Sequence, residues 1–385
     1  MNTVIVSGPI ANKPLNGGIA WIVLSYVFGF RQLGFDVHLI EQLDQSACRG
    51  PDGRPSTLEE SINLAFLMAI VNRFEVPATL VYNEGERTVG EPFSELLDLA
   101  HSAELLLNIS GHLSIPGLKG GPRRKAYLDL DPGYTQFWHA SGDPGPRLQG
   151  HDVYFTVGEN IGRPECPIPT NGINWRPTRP PFVREHWPVA PERDRARFTT
   201  VASWRGGFGR VEFEGRTYGL KAHQFRRFRE LPSRSEGSFE IALDAHPADE
   251  PDRIALLDHG WHVVSPLEVC PDPEMFRRYV QGSGSEFSVA QGIYVETNCG
   301  WFSDRSVRYL ASGKPALVQD SGLDRTYPVD EGLVTFSTLE EAAAGAADIM
   351  GRYERHSKAA RAVAEEFFDS DRVLTWLLDE AGASA

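Results

Sequence analysis

Thr3 to Ser7 form a short β-type run, and a loop rich in Gly, Pro and Asn follows as far as Gly18. A nearly all-apolar helical segment then extends to Leu33, and Val37 to Ile40 reads as a second strand, which together predict a βαβ unit. The helix is apolar around most of its circumference (Ala20, Trp21, Val23, Leu24, Val27, Phe28), so it is expected to lie deep on a parallel sheet. Thr57 and Glu60 have capping-box spacing ahead of Ile62, Leu64, Phe66 and Leu67, which predicts a further helix. Leu105 to Ile109 and Ala126 to Leu130 predict two more strands.

Eight of the 27 prolines fall between Pro164 and Pro191, a density incompatible with helix or central strand, and this stretch is the expected hinge. Beyond it the pattern restarts. Strands are predicted at Phe198 to Ser203, Phe239 to Leu243 and His262 to Val264, with a hairpin over Arg210 to Tyr218 turning at Glu214-Gly215. A helix is expected through Phe276 to Tyr279. Another covers 304–312, opened by Ser303 as N-cap and stopped by Gly313 and Pro315 ahead of strand Ala316 to Gln319. The pattern predicts two α/β halves joined by a proline-rich hinge, with no residue-level repeat between them.

A chain of 385 residues exceeds what one hydrophobic core organises, which agrees with two domains. Its 38 basic and 52 acidic residues leave a formal charge of −14, so no global attraction to phosphate backbones or anionic lipid is expected. No nucleic-acid partner is therefore expected. Ile19 to Phe30 is too short and too broken to span a bilayer and lacks the basic leader of a signal peptide. Cys48, Cys166, Cys270 and Cys299 are widely separated, which argues against a zinc knuckle or disulfide scaffold and for a reducing cytoplasm.

The densest chemical signal is Asn298-Cys299-Gly300-Trp301-Phe302-Ser303-Asp304-Arg305-Ser306, entering the helix that ends at Gly313-Lys314-Pro315. A Gly-containing turn before a helix, with hydroxyls and an arginine in its first turn, suits an anion, because free backbone N–H groups and the helix dipole both favour negative charge. The competing reading has Ser303 merely capping the helix and Arg305 pairing with a neighbouring carboxylate.

The run from Asn298 to Ser303, followed by Tyr309-Leu310-Ala311-Ser312-Gly313-Lys314-Pro315, resembles the nucleotide-sugar signature of bacterial GT-B glycosyltransferases, of general form HxGxxS, helix, ALAxGxP. Gly17-Gly18 with Arg31-Gln32-Leu33-Gly34-Phe35-Asp36-Val37 resembles the first βαβ of that family. Gly332 to Phe336 with Ser337-Thr338-Leu339-Glu340-Glu341 resembles its late strand and capped helix. The resemblance implies two Rossmann-like doubly wound domains facing across a cleft: 1–185 for the acceptor, 186–366 for the donor, and 367–385 as a helix crossing back to the first domain. It implies transfer of a sugar from a nucleotide-diphosphate sugar to a soluble acceptor, with no cofactor and no metal. The chain departs from the family pattern at two places: Asn298 and Ser306 stand where a histidine and a ribose-holding glutamate are usual, and the loop from Gly8 to Pro14 lacks the histidine base of many inverting members.

On that resemblance the donor diphosphate is expected at Lys221, Asn298, Ser303, Asp304 and Arg305, the donor sugar or ribose at Ser306, Gln319 and Asp320, and the acceptor near Asn12, Gly17 and Gly18. Lys221 has its own bland reading, a solvated basic face shared with Arg226, Arg227 and Arg229. Asp320-Ser321-Gly322 also reads as a plain turn. For the base, His112 and Asp131 follow predicted strands, at the carboxyl ends where doubly wound sheets bind ligands, and neither is preferred. Asp129-Leu130-Asp131 spells DxD, a metal-diphosphate motif of the other large glycosyltransferase fold. Two alternatives stand beside transfer: a nucleotide-sugar epimerase of the same fold and a non-catalytic nucleotide or glycan binder.

Overall fold

The computed structural model describes residues 2–192 and 194–383. The first half is an eight-stranded sheet: β1 (Thr3–Ser7), β2 (Asp36–Leu43), β3 (Ala78–Tyr82), β4 (Arg87–Val89), β5 (Leu105–Ile109), β6 (Arg124–Asp129), β7 (Val153–Thr156) and β8 (Trp175–Pro177). Their order across the sheet is β4-β3-β2-β1-β5-β6-β7-β8, parallel except for β4. The second half contains β9 (Arg197–Ser203), β10 (Val211–Phe213), β11 (Arg216–Tyr218), β12 (Ser238–Asp244), β13 (His262–Val264), β14 (Ser285–Ser288), β15 (Ala316–Gln319) and β16 (Leu333–Phe336). Six of these form a second parallel sheet in the order β13-β12-β9-β14-β15-β16, while β10 and β11 pair as a separate hairpin. In each sheet the first strand lies between its two halves, so the order reverses there, between β1 and β5 and between β9 and β14. Crevices for ligands open at the carboxyl ends of such switch points.

Local chemistry explains most elements. Glu214 and Gly215 both have positive φ, 49° and 76°, the geometry of a tight hairpin turn. Thr338 and Glu341 form a reciprocal capping box that starts helix Leu339–Gly351. The box expected at Thr57 and Glu60 does not form, because helix Ile62–Arg73 starts at Ser61, whose hydroxyl accepts the Leu64 N–H at 3.2 Å. The proline-rich stretch carries β8 as an edge strand paired only to β7, where proline's missing N–H costs nothing.

Several contacts fix the two halves together. Trp21 Nε1 donates to the Pro273 carbonyl at 2.7 Å, and Gly17 lies so close to the second half that a Cβ there would sit 2.1 Å from the Asp272 carbonyl oxygen. Asn160 donates to the carbonyls of Asn298 and Gly322 at 2.8 and 2.9 Å. Helix Ser370–Ala381 packs on the first-half helix Gly17–Gln32, its Leu374 seated against Gly29. Its entry is pinned by backbone bonds between Phe182 and Phe368 (2.8 Å) and between Ser370 and Phe182 (3.0 Å). No helix among the described residues is long and apolar enough to cross a membrane.

Candidate active site

The carboxyl ends of both sheets open into one cleft of about 510 Å³. The first half lines it with Lys13 after β1, Ser110 and His112 after β5, Asp131 after β6 and Val157 after β7. The second half contributes Ser203 ending β9, Gly206 to Phe208 after it, Asp244 ending β12, and Tyr294, Trp301, Asp304 and Arg308. An adjoining lobe of about 200 Å³ shares Asn16, Ile19, Ser203, Asp244 and Asp304 with it and adds Gly18 and Arg305.

The structure brings both base candidates into this cleft. Burial pushes the Asp131 carboxyl up to about 7, with the neighbouring Asp129 carboxylate adding to the rise; the Tyr294 hydroxyl, donating from the second half at 3.3 Å, and Lys13 oppose it. His112 is driven the other way, to about 4, by burial and by the cations Arg147 and Lys13, so its ring is neutral over the physiological range. The DxD partner Asp129 is closed off: its carboxylate accepts from Thr135, Gln136 and Thr156 at 2.7 to 2.8 Å. Among the described residues, no three His, Cys, Asp or Glu side chains group as a metal would require.

The expected diphosphate residues divide. Arg305 is largely committed to its own sheet, donating to Glu286 at 2.6 Å, the Val201 carbonyl at 2.8 Å and Ser288 at 2.7 Å. This is the carboxylate pairing that competes with an anion role, and it follows from the complete burial of Glu286, which demands a counter-charge. Lys221 differs: it is 8% exposed and its ammonium makes no hydrogen bond or ion pair among the described residues. Burial, reinforced by the Arg305 charge, lowers its pKa to about 7, while Glu286 and Asp304 oppose the shift. It does not belong to a solvated basic face, because Arg226 and Arg227 turn instead to Asp252 and Gln224. Asp304 lines the cleft, where burial raises its carboxyl against the lowering effect of Arg308 and Arg305.

The remaining candidates are used by the framework. The Asn12 amide donates to Glu41 at 2.9 Å and to the Gln42 carbonyl at 2.8 Å, and Asn12 is not part of the cleft lining. Gly17 serves the interface with Asp272, and only Gly18 of that pair reaches the adjoining lobe. Asn298 holds a left-handed turn (φ 47°) and lends its carbonyl to Asn160, outside the cleft lining. Ser303 occupies the N-cap position without a capping side-chain bond, and Ser306 is buried with an unpaired hydroxyl; both line a void of only about 10 Å³. Gln319 is consumed by Gln224 at 2.9 Å and by the Ala290 N–H at 3.2 Å. Asp320 closes its own turn by accepting from the Gly322 and Leu323 amides, as the plain-turn reading has it.

Sequence reasoning missed residues whose roles depend on distant partners. Glu41, fully buried on β2, accepts the N–H groups of Ile10, Ala11 and Asn12 at 3.0, 2.7 and 2.8 Å and so fills the loop after β1. Arg308 reaches from its helix to the Pro181 carbonyl at 2.7 Å and to Ser25 at 2.9 Å, joining the proline-rich stretch and the first-half helix. Tyr294 and Trp301 stack at 4.5 Å, and Phe208 packs on Tyr134 and Trp138 of the first half, giving the cleft an aromatic wall. The only available cue was the Gly-rich, aromatic text Arg205-Gly206-Gly207-Phe208 directly after a strand.

No protein-family model matches the chain, and no curated protein is similar to it in sequence. Solved structures do match. An alpha-glucosyltransferase (AGT) in complex with UDP superposes with a TM-score of 0.62 at 12% identity, covering 99% of this chain and 100% of that one. That glucosyltransferase also matches in complex with UDP and a 13-mer DNA. HepE from Anabaena in complex with UDP matches with a TM-score of 0.55 at 10% identity, over 99% and 100% of the two chains. Sucrose-phosphate synthase from Thermosynechococcus elongatus matches with a TM-score of 0.54 at 10% identity, over 98% of each. Two switch-point sheets facing across one cleft, matched over whole chains at these identities, establish the architecture: the chain has the GT-B fold of nucleotide-sugar glycosyltransferases.

Proposed function

We propose that this protein transfers a sugar from a nucleoside-diphosphate sugar to an acceptor hydroxyl within the cleft. The observation that carries the reading is the cleft itself, where the switch points of both sheets meet, with the raised carboxyl of Asp131 in its first-half lining and the partnerless ammonium of Lys221 buried outside that lining, near Arg305 and Asp304 of the second half. In this reading the acceptor oxygen bonds to the anomeric carbon as the bond to the diphosphate breaks. The acceptor proton passes to Asp131, and the charge left on the diphosphate is met by Lys221. No metal is needed for that division of labour. His112, neutral beside the same cleft, positions the acceptor rather than taking its proton.

The acceptor is proposed to be a small molecule with an apolar body. The first-half wall is built from Ile19, Ile22, Val23, Ile109, Leu130 and Val157. The acids Asp131, Asp244 and Asp304 outnumber the cations Lys13 and Arg308 around it, an arrangement that repels a polyanion. We therefore do not extend the DNA in the AGT complex to this chain. All four cysteines are free and buried, which supports a reducing, cytoplasmic setting.

The test is a thermal-shift panel of UDP, TDP and GDP with their sugar conjugates, and NAD as control. At 100 times its dissociation constant a ligand adds about 2.7 kcal/mol of stability. A selective shift for one nucleotide, followed by release of that nucleotide in the presence of hydroxylated aromatic acceptors, is the expected result. A shift without release would make the protein a binder, and no shift would remove the donor assignment.

A further inference from the structure

A second cavity, of about 380 Å³, lies between the hinge and the last helix and shares no lining residue with the cleft. Its floor is Thr178, 3% exposed, whose hydroxyl has no hydrogen-bond partner. One wall is the Arg179–Glu159 pair at 2.6 Å, with the Arg179 guanidinium over the Phe367 ring, 5.4 Å from its centroid. Another is Trp376, the one exposed tryptophan of the chain's eight, with its ring centroid 5.7 Å from that of Phe155. Glu366 and Arg372 also line it.

These are the parts of a carbohydrate receptor. An indole face takes the C–H side of a pyranose, planar guanidinium and carboxylate groups each engage neighbouring hydroxyls, and a buried hydroxyl without a partner gains one from the ligand. The charges come in opposite signs, two arginines and two glutamates, so a hydroxyl-rich ligand of low charge fits better than a phosphate or nucleotide. A space of this size accommodates one or two sugar rings, since ligand pockets begin at roughly 300 Å³. We infer that this cavity is a saccharide-binding site separate from the catalytic cleft. The residues after Arg179, Pro180 and Pro181, line the cleft, so a bound saccharide touches the same hinge segment that borders the reaction site.

The inference does not depend on the glycosyltransferase reading. Its experiment is NMR of the tryptophan indole N–H signals in the full chain, with the Trp376 signal identified by its loss in Trp376→Phe. Glucose, N-acetylglucosamine, glucuronate and maltotriose are each titrated to about 50 mM, which reaches millimolar sites, with UDP present to occupy the cleft. At least one saccharide is expected to shift the Trp376 signal saturably while leaving that of Trp301 in place. Trp376→Ala and Thr178→Val, both folded by their spectra, should weaken binding, the first by about tenfold. Absence of any saccharide shift at Trp376, shifts confined to Trp301, or undiminished binding in folded Trp376→Ala would each overturn the assignment.

Discussion

The two sheets share a topology, yet their switch points handle buried charge in opposite ways. In the first half, Glu41 is held by three backbone N–H groups of the loop after β1, so the place where a doubly wound sheet would receive an anion is already filled by the protein's own carboxylate. In the second half, the buried Glu286 is met by a side chain, Arg305. That pairing neutralises one cation but leaves another, Lys221, buried and without a partner. The consequence is an asymmetric cleft: the first half offers the raised Asp131, a neutral imidazole and carbon surface, and the second lines it with Asp244, Asp304 and Arg308 while the unpaired Lys221 lies buried near Arg305 and Asp304. Equivalent folds thus diverge in electrostatics through where each buried carboxylate finds its donors.

The largest effect that can break this comparison is on the first-half acid. Asp131→Asn should lower kcat by about 10²- to 10⁴-fold while leaving nucleotide affinity intact, because a general base contributes on that scale. The pH profile sharpens it. Asp131 must be ionised to accept a proton, so with its carboxyl raised to about 7, kcat/KM should climb as pH rises through neutrality and level off above. A limb near pH 4 that survives in Asp131→Asn would instead assign the base to His112, whose ring is lowered to about 4.

Next in size is the second-half pair. Arg305→Ala strands the fully buried Glu286 carboxylate, and the loss of stability should be about 3 to 5 kcal/mol by denaturant titration. Arg305→Lys should recover only part of it, since one ammonium cannot reach Glu286, Ser288 and the Val201 carbonyl together. An unchanged stability with lost nucleotide binding would return Arg305 to the donor site and erase the contrast with Lys221.

Lys221→Met should do the reverse, changing stability little and weakening nucleoside-diphosphate affinity about tenfold or more by calorimetry. The lysine, lowered to about 7 by burial and by Arg305, is charged below that value and neutral above it. Affinity should therefore fall as pH rises through neutrality in the wild-type chain. It should not follow that course in the Met variant.

The halves also differ in how far they could be read from sequence. Elements signalled by local chemistry were legible: the Glu214-Gly215 turn, the Thr338–Glu341 box, and the strands β1, β13 and β15 with the bounds observed. The edge strands β4 and β8 were not, because Arg87–Val89 lies in a polar, Gly-flanked stretch and Trp175–Pro177 lies inside the proline-rich stretch, so neither shows the apolar β-branched run that marks β13. Within the site, His112 and Asp131 were legible as residues just past strand ends, where topology alone puts them near a cleft. Asn12, Gln319 and Asp320 lie at comparable positions yet spend their polar groups on Glu41, Gln224 and their own turn. A polar residue at a strand end has the same sequence signature whether its partner is a ligand or a buried neighbour, and only long-range packing decides.

Asn12 gives the smallest of these effects and the cleanest separation of the two roles. Its amide makes one bond to Glu41 and one to the Gln42 carbonyl, and it is not part of the cleft lining. Asn12→Ala removes both while Glu41 keeps its three backbone donors, so the loss of stability should be about 1 to 2 kcal/mol. Because the loop stays closed around Glu41, the acceptor KM should remain within about twofold of wild type, a change under 0.5 kcal/mol. A KM raised severalfold with stability unchanged would mean that Asn12 turns to the acceptor when one is present. The first half would then be binding through a group that the free protein holds shut, and the filled loop would have to be redrawn as a latch that the acceptor opens.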